Sequence, residues 1–166
     1  MNAIVSVTSD WAIGNQGALL VRNPADMRRF VGLTMGGTVL MGRATFEGLP
    51  SGPLKGRRNV VVTSDPSYGL AHGGIEVAHS PSQALSLVER DDPDAVWLIG
   101  GARLYRALLG HCTRCHVTRN HTLVPADAYI PDLDADPAWE LERVEGGGVT
   151  AEGVPFDYAT YRNLAL

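Results

Sequence analysis

One acid in this chain falls where an acid needs a partner. In Asn23-Pro24-Ala25-Asp26-Met27-Arg28-Arg29-Phe30, Asn23 suits a helix cap and Pro24 suits a first helical turn. Acids in a first turn are common, because they meet the positive end of the helix dipole. Asp26, however, falls with Phe30 and Leu33 at i, i+4 and i+7, joined by Met27 and Thr34. The spacing puts Asp26 on the apolar stripe and points Arg28 and Arg29 elsewhere. A carboxylate on a buried face needs a partner. With no basic residue expected on that stripe, the candidate partner is a ligand.

A second chemistry is suggested where strands hand over to helices. Gly100-Gly101 follows a nearly continuous apolar run, Ala95 to Ile99, and precedes Ala102-Arg103-Leu104-Tyr105. Glycines at such a turn let backbone N–H groups approach an anion, and the helix start adds a favourable dipole. Alone, this turn is equally well explained by close strand-to-helix packing. Met41-Gly42-Arg43-Ala44-Thr45-Phe46-Glu47 is a second junction of the same kind, with a cation and a hydroxyl. Two junctions at the carboxyl ends of neighbouring strands form the crevice where open α/β sheets bind ligands, and a dinucleotide pyrophosphate would use both. At a third strand end, Thr63 and Ser64 offer hydroxyls where NAD sites usually carry an acid. With Arg43 they suit a 2′-phosphate, which favours NADPH over NADH, although Asp65 stands next to them.

Other chemistries find less support. Cys112-Thr113-Arg114-Cys115-His116 spells the pattern of covalent haem attachment, and a redox pair is the other reading. The stretch Cys112 to Arg119 reads as a strand, on which residues three apart face opposite sides, so two reduced thiols are expected. His72, His79, His111, His116 and His121 show no metal-ligand spacing and read as satisfied surface or strand histidines. No metal is expected.

These residues must be positioned by a regular α/β frame. The 166 residues fit one domain, and 45% hydrophobic content supplies a core without staples. Strands are expected at Ala3 to Thr8, Thr38 to Met41, Asn59 to Thr63, Ile75 to Ala78 and Ala95 to Ile99. Helices should run from Pro24 to about Thr34, from the Ser80 cap with Pro81 and Gln83 behind it, and from Gly101 to before Gly110. Such alternation implies a mainly parallel central sheet with helices on both faces. The strands Cys112 to Arg119, Trp139 to Val144 and Phe156 to Tyr161 lack helices between them, so this part should be antiparallel, with Gly146-Gly147-Gly148 in a mobile connection. A net charge of −4 argues against nucleic acid, and no apolar run approaches the ~20 residues that cross a bilayer. The N-terminus has no basic segment or cleavage site and enters a strand at once, so a cytoplasmic protein is expected.

In order, Ile13-Gly14, the Asn23 to Phe30 stretch, Met41 to Glu47, Leu54-Lys55-Gly56-Arg57-Arg58-Asn59, Ile99 to Tyr105, Thr118 and Phe156-Asp157-Tyr158 resemble the bacterial dihydrofolate reductase family over nearly the whole chain. The resemblance implies that Asp26 is the catalytic residue, holding the pteridine N3 and 2-amino group, steadied by Thr118, and tuning the site electrostatically while the proton arrives through water. It also implies that Ile4, Met27, Phe30, Leu49 and Ile99 line the substrate slot and that Arg57 clamps the glutamate α-carboxylate. NADPH would be bound by Ile13, Gly14, Gly42, Arg43, Thr45, Thr63, Ser64, Gly100, Gly101, Ala102, Arg103 and Tyr105. Hydride would pass to C6 of dihydrofolate while N5 gains a proton, in a monomer that also binds antifolate inhibitors.

The chain departs from the family at Leu20-Val21, where the family usually carries Pro-Trp, and it lacks the basic residue often found near Val31 or Ser51-Gly52. Two other readings compete. An NADPH-dependent pyrimidine reductase of riboflavin synthesis would share fold and cofactor but would not need Asp26. A non-catalytic cofactor-binding or haem-carrying protein draws only on the Cys112 to His116 pattern and the lost tryptophan.

Overall fold

A computed structural model describes residues 1–166, side chains at 70 and 71 excepted. The strands are β1 (Asn2–Val7), β2 (Ala12–Gly14), β3 (Thr38–Gly42), β4 (Arg58–Val62), β5 (Glu76–Ala78), β6 (Val96–Gly100), β7 (Arg114–Asn120), β8 (Ala128–Tyr129), β9 (Trp139–Val149) and β10 (Pro155–Asn163). The helices are α1 (Pro24–Thr34), α2 (Arg43–Glu47), α3 (Tyr68–Ala71), α4 (Pro81–Val88) and α5 (Ala102–Leu108). Eight strands form one sheet in the order β5-β4-β3-β6-β1-β7-β10-β9. All neighbours run parallel except β7–β10 and β10–β9, which are antiparallel, as the distribution of helices predicts.

Period-two burial divides the core between the two sheet faces. Ala3, Val5, Leu40, Val60 and Leu98 pack with Ala84, Val88, Leu104 and Leu108 of α4 and α5. Their strand neighbours Ile4, Val39, Met41, Val61 and Trp97 face the other way, with Phe30, Phe46 and Tyr68 of α1, α2 and α3. Each strand between β1 and β4 is therefore apolar on both sides, which is why its sequence reads as a continuous run.

Local caps set two helix starts where the sequence places them. The Asn23 side chain accepts from Asp26 N at 3.2 Å, and Ser80 Oγ accepts from Gln83 N at 3.1 Å. Three expectations need correction. Gly146-Gly147-Gly148 is not a connection but part of β9: Gly148 pairs with Phe156 and Gly146 with Asp157, leaving Gly147 as the extra residue of a bulge. A Cβ at Gly147 would overlap the Phe156 ring and carbonyl, so glycine is needed for strand packing rather than for a turn. Cys112 precedes β7 instead of lying on it, and both thiols are free and enter the same core. Ala95 closes a short turn before β6. The first loop also contains β2, paired with β8, a contact between segments more than a hundred residues apart.

Candidate active site

A cleft of about 580 Å³ opens between the carboxyl end of β1 and the start of α1. Ser6, Val7 and Thr8 form its floor, Ala12 and Ile13 one side, Leu19 to Asn23 the lip, and Asp26, Met27 and Arg28 the helix wall. Asp26 thus lies on a cavity, with Met27 beside it and 52% exposed. Thr118 Oγ1, itself 1% exposed, donates a short hydrogen bond to Asp26 Oδ1 from β7. Burial pushes the Asp26 carboxyl above its ordinary range, while the Thr118 hydroxyl and the Arg29 guanidinium pull it back.

Asn120, two residues after Thr118 on the same side of β7, ties this wall together. Its Nδ2 donates to Ser6 Oγ at 2.8 Å and Val7 O at 3.0 Å, and its Oδ1 accepts from the Asn23 cap at 3.4 Å. The one mark of Asn120 in the sequence is its period-two spacing from Thr118, which places both side chains on one face of β7. Arg29 is a correction. It does not point away from the stripe but lies 18% exposed, its guanidinium carbon 4.2 Å from the centroid of the Tyr158 ring.

The apolar residues predicted for the slot lie on the α1 side of the sheet. Ile4 belongs to that core, 7% exposed, and Phe30, Leu49 and Ile99 pack against it. Arg57 stands at the far end of α1. Its Nε donates to Lys55 O at 3.0 Å and its Nη1 to Thr34 Oγ1 at 3.2 Å, two neutral acceptors that take two of its five N–H donors. Asn59 shapes that loop: its Oδ1 accepts from Leu54 N and its Nδ2 donates to Leu54 O and Arg57 O, all at 2.9 Å.

At the other edge, β3 and β6 are paired, so the two glycine junctions do meet. A methyl group on Gly42 would lie 3.7 Å from Gly101 N, and one on Gly101 would lie 3.3 Å from Thr45 Oγ1. Gly100 has φ +117°, and a Cβ there would press on the Tyr105 ring at 3.1 Å, so the bend needs glycine. Tyr105 is buried beneath it, donating to Ile4 O at 2.6 Å. Neither Gly42 nor Gly101 makes a side-chain cap, so no capping side chain covers the backbone N–H groups opening α2 and α5. Ala102 and Arg103 form the first turn of α5, and Ile13 and Gly14 lie on β2.

Arg43 opens α2 and is engaged by carboxylates: Nε to Glu47 at 2.9 Å and Nη1 to Asp65 at 3.5 Å, with the Tyr68 ring centroid 4.6 Å away. Thr63 Oγ1 accepts from Asp65 N, and the His79 ring nitrogen Nδ1 lies 3.0 Å from Thr63 O, which brings an unexpected histidine to this edge. Ser64 adjoins them in an exposed turn. His116 is a further correction: it is not a satisfied strand histidine, for its Nδ1 is buried without a partner and its ring lies 5.2 Å from that of Trp97. Among the described residues, no cluster of three or more His, Cys, Asp or Glu could hold a metal, and no helix is long and apolar enough to cross a membrane.

Comparison with known proteins agrees with this geometry. A family model described as dihydrofolate reductase matches residues 1–163. The type 3 dihydrofolate reductase of Salmonella typhimurium is 36% identical over 143 residues, covering 86% of this chain and 85% of that protein. The dihydrofolate reductase of Neisseria gonorrhoeae is 34% identical over 158 residues, covering 95% and 94%. Among solved structures, dihydrofolate reductase from Enterococcus faecalis complexed with NADP(H) and RAB-propyl superposes with a TM-score of 0.86 at 30% identity, covering 98% of this chain and 95% of that one. The chain therefore belongs to the dihydrofolate reductase family.

Proposed function

We propose that residues 1–166 work as one reductase domain in the cytoplasm, converting 7,8-dihydrofolate to 5,6,7,8-tetrahydrofolate with NADPH, and that Asp26 is its catalytic residue. The observation that carries this reading is the half-buried Asp26 carboxylate, fixed by Thr118 in the wall of an apolar cleft. The dihydropterin ring presents two adjacent N–H donors, N3 and the 2-amino group. One planar carboxylate accepts both, even with one lone pair of Oδ1 taken by Thr118. A fixed negative charge in a water-poor slot favours the substrate protonated at N5, the form that becomes electrophilic at C6.

Ile4, Met27, Phe30, Leu49 and Ile99 would hold the rings and exclude water, and Arg57 would take the glutamate α-carboxylate with the donors it keeps free. The two bare helix starts and the glycine bend at Gly100 fit a pyrophosphate, so Gly42, Thr45, Gly100, Gly101, Ala102 and Arg103 would hold NADPH there. Arg43, Thr63 and Ser64 would take its 2′-phosphate. Ile13, Gly14 and Tyr105 would bound its nicotinamide. When bound, NADPH supplies the hydride. Antifolates that carry the same paired N–H donors would compete for Asp26.

Purified protein mixed with NADPH and dihydrofolate should consume them one for one, read as falling absorbance. No consumption, or turnover of a riboflavin-pathway pyrimidine in place of dihydrofolate, would overturn the assignment.

A further inference from the structure

The face that α1 turns to the sheet carries a cation. Arg29 follows Asp26 by three residues, a spacing that brings side chains together on a helix, with about 5–6 Å between Cβ atoms. Its guanidinium lies on the Tyr158 ring of β10, the residue paired with Thr118 in the adjacent strand. Nη2 reaches only to 3.8 Å from Glu145 Oε2 on β9, and Glu145 is shared with Arg143 at 3.6 Å. Nη1 is buried and has no hydrogen-bond partner among the described residues. The counter-ion is thus loose and divided, part of the guanidinium fork is shielded from water, and the only acid on the same helix is Asp26. Screening is weak for charges placed in this way.

We propose that Arg29 is a positioning residue of the reductase site: its incompletely neutralised guanidinium, held against Tyr158 beside Asp26, sets how firmly the site keeps the proton that ends on N5. The proposal rests on the reductase reading of Asp26. The reaction consumes one proton, and before hydride transfer that proton sits on Asp26 or on N5. In either place Arg29 opposes it, so the charge lowers the pH at which the site becomes empty of protons. The pull of Arg29 on the Asp26 carboxyl has the same sign.

The other groups around this cluster do not supply the effect. From β7, His116 is pushed down to about 4 by burial and then by Arg29, Arg114 and Arg143, so it is neutral across the working range. From β10, burial raises the Tyr158 phenol, which also stays neutral. Arg28 on α1 and Arg143 on β9 add guanidinium charge of the same sign as Arg29. Glu145 on β9, the carboxylate 3.8 Å from the Arg29 guanidinium, should act in the opposite direction when removed.

The test uses Arg29→Met, Arg29→Lys and Glu145→Gln, each with a thermal melt. Two readouts are needed: the alkaline limb of the pH profile of kcat/KM, and the titration of the Asp26 carboxyl carbon by NMR in the unliganded protein. Arg29→Met should move both to higher pH, Arg29→Lys should return both toward wild type, and Glu145→Gln should move both to lower pH. Because the NMR titration needs no substrate, absence of dihydrofolate turnover would sink the reductase reading while the coupling of Arg29 to Asp26 is still measured. Should Arg29→Met fail to fold, the Glu145→Gln shift decides, since Glu145 is 48% exposed and its loss leaves the core intact. An unmoved carboxyl titration in Arg29→Met, a Lys variant displaced as far as Met, or a Glu145→Gln shift to higher pH would overturn the proposal.

Discussion

The two rims of the candidate site, one at α1 and one at α2, hold charge in opposite ways. On the α1 rim, Asp26 and Arg29 are largely withdrawn from water and meet mostly neutral groups: a threonine hydroxyl, a tyrosine ring and a distant, shared glutamate. On the α2 rim, Arg43 is exposed and already paired with Glu47 and Asp65. Withdrawn charges act strongly on whatever enters the site, whereas exposed pairs are screened and exchangeable. In the function proposed above, the first rim serves the chemistry and the second the reversible recognition of an anion, with carboxylates holding the arginine in place until a phosphate arrives. Arg57 and Arg58 repeat the contrast within two residues. Arg57 rests on neutral oxygens and keeps donors free, while Arg58 is locked between Asp91 at 2.8 Å and Glu76 and serves the fold.

If that contrast holds, the largest effect belongs to Asp26. Asp26→Asn should lower kcat/KM for dihydrofolate by at least about a hundredfold, roughly 2.7 kcal/mol, with NADPH affinity nearly unchanged. Folding should survive, and the pH dependence of stability gives a sign. The native carboxyl lies above its unfolded value of ~3.9, so in that window the folded chain binds more protons than the unfolded one. The Asp26 contribution to stability therefore falls as pH rises from the unfolded value through the native one. It runs against the rising contributions of carboxylates such as Glu76 and Asp157 that are held low by arginines. The difference between wild-type and Asp26→Asn melts should shift against the wild type as pH rises across that window. A variant with near-normal turnover would remove the distinction between the rims.

Arg57→Ala comes next. It should raise KM for dihydrofolate about 10- to 100-fold, from the loss of a charge-assisted fork, and do much less to a pteridine lacking the glutamate tail. Equal losses on both substrates would mean that Arg57 resembles Arg58 after all. At the exposed rim the effects should be smaller. Arg43→Gln should reduce the preference for NADPH over NADH by about tenfold, one charged contact's share, measured as the ratio of kcat/KM values. Asp65→Asn frees Arg43 from one competitor and should tighten NADPH by a few-fold at low salt. The gain should fade by physiological ionic strength, and a gain insensitive to salt would show that this rim is more enclosed than its exposure suggests.

What could be read from the sequence was what local physics decides. The α1 start followed from Asn23 and Pro24, the α4 start from Ser80 and Pro81, and the glycine junctions from their place after apolar runs. What escaped depends on partners far along the chain. Arg29 and Phe30, at i+3 and i+4 from Asp26, flank the same helix face, and only the Tyr158 ring of β10 determines that a cation can lie inward there. Gly146-Gly147-Gly148 looks like a connection because glycine disfavours strands, yet the Phe156 ring takes the space a side chain would need. Asn59 acts through the backbone of Leu54 and Arg57, and Asn120 through Val7 O and the side chains of Ser6 and Asn23, partners that composition does not reveal.

The two cysteines equip the molecule with an internal reporter. Cys112 and Cys115 are 0% exposed, and burial pushes the Cys112 thiol up to about 12 and the Cys115 thiol well above its usual range. Only a thiolate reached by solvent reacts with a disulfide reagent, so modification has to wait for the core around α5 and β7 to open. Where reclosing outpaces labelling, the rate measures the population of opened molecules. A ligand at a hundred times its Kd that binds only the closed form should slow labelling about a hundredfold. Timed reaction of the protein with such a reagent thus becomes a titration of NADPH or an antifolate that needs no turnover.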